Sequence, residues 1–192
     1  MSKIAIVYHS GYGHTAVVAH ALAAGARAVP GAEVTLYKAD DLTGADTGPW
    51  ADLAAADAIV FGAPTYMGSA SAVFKQFMDA SSKAWYGDVW KNKLAAGFTN
   101  SASWSGDKLN TLQQLAVFAA QHGMIWISTG MKGGYNHSAG SPDDLNRVGS
   151  FLGLATQANA DQGPEVAPPA ADRKTAEAFG RRIAEITDRW VA

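Results

Sequence analysis

The chain has no cysteine. Disulfides, thiolate nucleophiles, iron–sulfur clusters and thiolate zinc sites are excluded by that alone. Long apolar runs are also missing. The stretch Ile4 to Tyr8 behind Met1-Ser2-Lys3 is too short for the apolar region of a signal peptide, and no later run would span a bilayer. These absences predict a cytoplasmic protein without membrane insertion. Positive charge is not in excess: 15 Lys and Arg stand against 17 Asp and Glu. The one basic pair, Arg181-Arg182, falls within a helical pattern, so no nucleic-acid partner is expected. Three catalytic signatures are absent as well. No Gly-Lys-Ser/Thr closes a Walker A loop, no Gly-x-Ser-x-Gly elbow is present, and no HExxH occurs. His9, His20 and His137 lack metal-ligand spacing, so no metal site is expected.

What is present suits one packed domain over residues 1–192, with 48% hydrophobic and 17% charged residues. Five strand-like runs, at 3–9, 33–38, 58–62, 94–99 and 124–128, alternate with helical stretches at 15–29, 50–56, 71–80, 108–122 and 172–191. Several of the strand-like runs are continuously apolar, as in parallel strands covered on both faces. In the last helix, Ala176, Phe179, Ile183, Ile186 and Trp190 form one apolar stripe. The expected fold class is α/β: a three-layer, doubly wound, five-stranded parallel sheet, flavodoxin-like, of order 2-1-3-4-5. Ligands of such sheets bind beyond the carboxyl ends of the strands where the winding reverses, which selects the loops after strands 1, 3 and 4. Residues 129–171, rich in Gly, Ser, Asn, Asp and Pro, stand outside this minimal scheme as an irregular excursion. It would cover the ligand or build an oligomer interface; a tolerated surface insertion is the alternative.

The loop after strand 1 reads Ser10-Gly11-Tyr12-Gly13-His14-Thr15 and runs directly into a helix. Its glycines let backbone N–H groups turn inward, the helix start adds positive potential, and two hydroxyls are at hand. That suits a terminal phosphate without any Lys or Arg. Gly11, Gly13 and Ala16 also fit Gly-x-Gly-x-x-Ala, with Asp40 beyond strand 2, so a flavin-free dinucleotide-binding protein stays open. After strand 3, Pro64 is expected to stop the strand, Thr65 to offer a hydroxyl and N–H, and Tyr66 and Met67 with Gly68 to lie beside a flat ring. After strand 4, Asn100-Ser101-Ala102-Ser103-Trp104-Ser105-Gly106-Asp107 is polar enough to hydrogen-bond a pyrimidine-like edge, with Trp104 packing on it. Each loop alone could be an ordinary turn. All three at one end of one sheet point to a ligand.

Ser10 to Thr15, Pro64 to Gly68, and His122-Gly123-Met124 together resemble the flavodoxin superfamily, in particular its WrbA-type NAD(P)H:quinone oxidoreductases and the related NADPH-dependent FMN reductases. The resemblance covers roughly residues 3–130. It implies FMN, bound non-covalently, with the phosphate at Ser10, Gly11, Tyr12, Gly13, His14 and Thr15. The isoalloxazine would lie along Pro64, Thr65, Tyr66, Met67 and Gly68, and Asn100 through Asp107 would meet the ring and ribityl chain. It further implies flavin contact for His122, the one candidate for a catalytic side chain, and a substrate-side place for Trp85 and Tyr12. The strand-4 loop departs from the family pattern in having Ala102, Trp104 and a single Gly.

NAD(P)H is then the co-substrate and quinones, free flavin or similar small molecules are the acceptors. A flavodoxin-type electron carrier without substrate turnover is the alternative. A carrier docks through a strongly acidic face, which a net charge of −2 does little to support. The resemblance also implies a homodimer or homotetramer. Trp85, Tyr86 and Trp90, in a polar stretch before strand 4, are read as ligand or subunit contacts, with core filling as the alternative.

Overall fold

The computed structural model describes residues 1–192. Its strands are β1 Ser2–Tyr8, β2 Ala32–Lys38, β3 Ala58–Tyr66, β4 Ser69–Ala70, β5 Leu94–Ser101, β6 Ile125–Trp126 and β7 Leu154–Gln157. Its α-helices are α1 His14–Arg27, α2 Trp50–Ala55, α3 Ala72–Ala80, α4 Ser82–Tyr86, α5 Lys108–Gln121 and α6 Ala170–Val191. The sheet runs β2-β1-β3-β5-β6 with every one of these pairings parallel. This is the expected doubly wound order, in which the chain crosses to the opposite side after β2.

Alternation along the strands splits the core into two layers. Ile4, Ile6 and Tyr8 of β1 face a cluster with α1 and α6, whereas Ala5 and Val7 face α2, α3 and α5. Helices α1 and α6 meet backbone to backbone at a glycine pair. A Cβ on Gly25 would lie 1.9 Å from the Glu177 carbonyl oxygen, and one on Gly180 would lie 1.9 Å from that of Leu22. No helix is long and apolar enough to cross a membrane.

Five expectations need correction. The fifth strand is not the single run 124–128. It is built from two short pieces, β6 and β7, which both pair with β5: β6 with Leu94 and Ala95, β7 with Phe98 to Ser101. The excursion therefore leaves the sheet at its middle and returns to finish the same edge, so 129–171 is not irregular throughout. Pro64 does not stop β3. That strand continues to Tyr66, with Pro64 in register with Asn100, and ends instead in a tight reversal at Met67 and Gly68, which have φ of 48° and 85°. Trp90 is not a surface contact. It is 1% exposed at the centre of an aromatic cluster with Phe61, Phe77 and Phe118. Trp190 lies outside the buried stripe of α6 and is half-exposed.

Candidate functional site

At the carboxyl end of β1, β3 and β5 lies a cavity of about 700 Å³. A site of this size accommodates a drug- or cofactor-sized ligand. Three walls come from the loops singled out by sequence: Ser10, Tyr12, His14 and Thr15; Pro64, Thr65 and Tyr66; and Asn100, Ser101 and Ala102. The fourth comes from the 129–171 excursion, for which a place over the ligand is one of the expectations. Residues 158–163, which follow β7, supply Ala158, Ala160, Asp161, Gln162 and Gly163.

The first loop fits a phosphate. The amides of Tyr12, Gly13, His14 and Thr15 donate to no group of the chain, since the first N–H groups of α1 have no intrahelical acceptor. Gly13 makes this turn possible with φ 89°, and Pro164 packs so closely on it that a Cβ would be 2.8 Å from its ring. The Ser10 Oγ accepts from the Ala16 amide at 3.1 Å, which leaves its hydroxyl proton free to be donated. Thr15 is 2% exposed and lines the cavity, where its hydroxyl makes no hydrogen bond to the chain. No Lys or Arg lines the cavity, and Asp161 is its one carboxylate. Backbone dipoles and hydroxyls would carry the whole of the anion binding here.

Tyr66 and Tyr12 both line the cavity, and their rings meet edge to face at 6.1 Å. Burial, and secondarily Tyr12, raises the Tyr66 phenol above its ordinary range, so it stays a donor at neutral pH. The phenol packs directly over Gly11, where a Cβ would reach to 2.5 Å from the Tyr66 Oη and displace it. Thr65 differs from expectation. Its hydroxyl is committed inward, at 2.8 Å from both Thr99 and Thr111, and is not available to a ligand. Asn100 is oriented by Thr156, whose hydroxyl donates to its Oδ1 at 2.9 Å, leaving the amide nitrogen as donor.

Met67 and Gly68 fall outside the lining residues, and Met67 stands fully exposed at the reversal beyond β3. Ser103, Trp104, Ser105, Gly106 and Asp107 also lie outside it. Trp104 turns away to meet the Arg147 guanidinium, 4.5 Å from its ring centre. Behind this loop is a buried charge cluster that sequence reading missed. Arg147 donates to both carboxylate oxygens of Asp172, at 2.6 and 3.2 Å, and the Lys108 ammonium donates to the carbonyls of Ser103 and Trp104. Burial lowers the Lys108 pKa to about 8, so the ammonium form still dominates at pH 7.

His122 and Trp85 do not join this cavity within one chain. They line a second one, about 850 Å³, between α3, α4 and α5. His122 lies at the far end of α5, 6% exposed, with its ring 4.3 Å from that of Trp90. Its Nε2 donates across 2.9 Å to Ser81, whose own hydroxyl donates to the Met78 carbonyl, and its Nδ1 is buried without a partner. Burial drops its pKa to about 4. Of the other histidines, His9 bonds Ser71 at 2.8 Å and His20 meets Tyr8 edge-on.

Comparison with known proteins agrees with this geometry. Residues 3–133 match the family model described as NADPH-dependent FMN reductase. The chain is 42% identical over 186 residues to "Flavodoxin FldP" of Pseudomonas aeruginosa, covering 97% of each. It is 31% identical to an NAD(P)H dehydrogenase (quinone) of Chromohalobacter salexigens, again over 97% of each. Among solved structures, the WrbA-like flavodoxin of Agrobacterium tumefaciens superposes with a TM-score of 0.73 at 38% identity, covering 98% of this chain and 99% of that one. The fold, the phosphate-shaped turn and these likenesses agree, and the chain belongs to the flavodoxin-like NADPH-dependent FMN reductase family, whose flavin is FMN and whose electron donor is NAD(P)H.

Proposed function

We propose that the protein binds FMN in the 700 Å³ cavity and passes electrons from NAD(P)H to a small acceptor, a quinone or free flavin. The observation that carries this reading is the turn 10–15, with unpaired amides and an unpaired Thr15 hydroxyl converging where α1 begins. When bound, FMN supplies the two-electron chemistry, and the chain's part is binding, orientation and electrostatics. Ser10, Gly11, Tyr12, Gly13, His14 and Thr15 hold the phosphate. Pro64, Thr65 and Tyr66 border the ring, and Asn100 to Ala102 donate to its edge. Tyr12 is 77% exposed at the mouth, where a nicotinamide or an acceptor could stack on the accessible ring face.

The visible spectrum of the protein as purified, followed by NAD(P)H oxidation with and without a quinone, tests the proposal. A yellow protein that turns over supports it. A yellow protein inert toward every small acceptor supports the carrier reading, which the likeness to a flavodoxin favours. A colourless protein that takes up NAD but not FMN rejects both.

Trp85, Tyr86 and Val117 remain exposed around the second cavity, at 53%, 88% and 63%. We assign this face to contact between copies in a homodimer or homotetramer, where His122 and Trp85 could approach a neighbour's cavity. A monomer by light scattering would reject that assignment.

A further inference from the structure

The cluster behind the β5 loop does more than fill space. The four carbonyls from Ala102 to Ser105 are all engaged within the chain. Gln157 Nε2 donates to Ala102 at 2.8 Å, and the Lys108 ammonium donates to Ser103 and, at 2.9 Å, to Trp104. The Lys108 amide donates to Ser105 at 3.1 Å. The N–H groups of Ser103, Trp104 and Ser105, in contrast, donate to nothing in the chain. In a trans peptide the N–H points opposite to the C=O of the same plane. Turning the Ser103 and Trp104 carbonyls toward the buried ammonium therefore turns the amides of Trp104 and Ser105 away from it and fixes the course of the loop behind the cavity wall. The ammonium is fixed in turn. Lys108 is 3% exposed, beside an Arg147–Asp172 pair exposed by only 6% and 2% at their side chains. Asp172 also accepts from the Gln157 amide at 2.8 Å, and Arg147 reaches the Gln157 Oε1 at 3.2 Å.

We propose that Lys108 is a positioning residue for the flavin ring: together with Gln157 it fixes the 102–105 carbonyls and so holds the cavity wall Asn100–Ala102, from which the loop continues, against the ring edge. The inference rests on the FMN reading above and adds residues that act through the loop without touching the cofactor. The arrangement concerns the ring half of the ligand alone, because the phosphate turn is held by other contacts.

The test is titration of FMN and of riboflavin, which lacks the phosphate, into wild type, Lys108→Met, Gln157→Leu and Thr15→Ala. Lys108→Met should weaken both flavins by the same factor, about 10- to 100-fold, the usual consequence of losing hydrogen bonds from a buried charge. Gln157→Leu should follow the same pattern more weakly. Thr15→Ala should weaken FMN and leave riboflavin unchanged. Unaltered riboflavin affinity in Lys108→Met, or a loss confined to FMN, overturns the inference while leaving the cofactor reading intact. If Lys108→Met does not fold, Gln157→Leu decides by the same criterion. Failure of wild type to bind either flavin overturns the cofactor reading itself.

Discussion

His14 Nε2 donates to the backbone carbonyl of Gln162 across 2.7 Å, joining the first turn of α1 to a segment 148 residues further on. A carbonyl only accepts, so this nitrogen carries the proton. The bond fastens the 158–163 segment over the turn 10–15, and the Pro164 ring seated on Gly13 extends the same contact.

Removing that fastening should speed loss of the cofactor. His14→Ala is expected to raise the FMN dissociation rate by about 3- to 10-fold, the worth of one hydrogen bond. Association should change little. Stopped-flow flavin fluorescence measures both rates, and an unchanged dissociation rate would show that the segment stays down without His14.

Gly11 and Tyr66 should be coupled. Gly11→Ala places a methyl group 2.5 Å from the Tyr66 Oη, and the phenol must move to make room. FMN affinity is expected to fall in that variant and to recover in part in Gly11→Ala/Tyr66→Phe. A double-mutant cycle gives the coupling, and simple additivity would mean that the two positions are independent.

His122 should make the fold acid-sensitive. Its pKa is about 4 in the folded protein against 6.5 for the free side chain. Above pH 6.5 the imidazole is neutral in both states and contributes no pH dependence. As pH falls from 6.5 toward 4 the unfolded chain takes up the proton first, so stability declines over that window. The loss is about 3 kcal/mol at most. Urea unfolding at pH 7 and pH 4.5 should show a smaller difference for His122→Gln than for wild type.

The closeness of α1 and α6 sets a further expectation. Gly25→Ala would push a methyl group to within 1.9 Å of the Glu177 carbonyl oxygen, where the obstacle is backbone and cannot swing aside. The helices must separate, at a cost of about 3 kcal/mol, the upper part of the usual range for overpacking. A urea midpoint equal to that of wild type would contradict the contact.

The elements that sequence reading located best are those whose pattern is local and long. The apolar runs of β1, β3 and β5 and the stripe of α6 each carry enough residues to declare their period. The turn 10–15 was equally legible, because glycines, hydroxyls and a helix start lie together in six consecutive residues. The edge of the sheet was not. The run 124–128 reads as a whole fifth strand, but only Ile125–Trp126 pairs there, and Leu154–Gln157, too short to read by itself, completes the edge through its own pairing with β5.

The sequence by itself determined the winding of the sheet and the end of it at which the cavity opens, since both follow from the order of apolar runs and from backbone chemistry local to each turn. Tertiary structure alone decided which distant groups complete the cavity. It brought Gln162 to His14, set Lys108, Arg147 and Asp172 behind the loop after β5, and placed His122 and Trp85 on another face. The physical reason is that burial and pairing of polar groups depend on neighbours far away in the chain. A lysine opening a helix looks like solvated surface until the fold surrounds it with carbonyls.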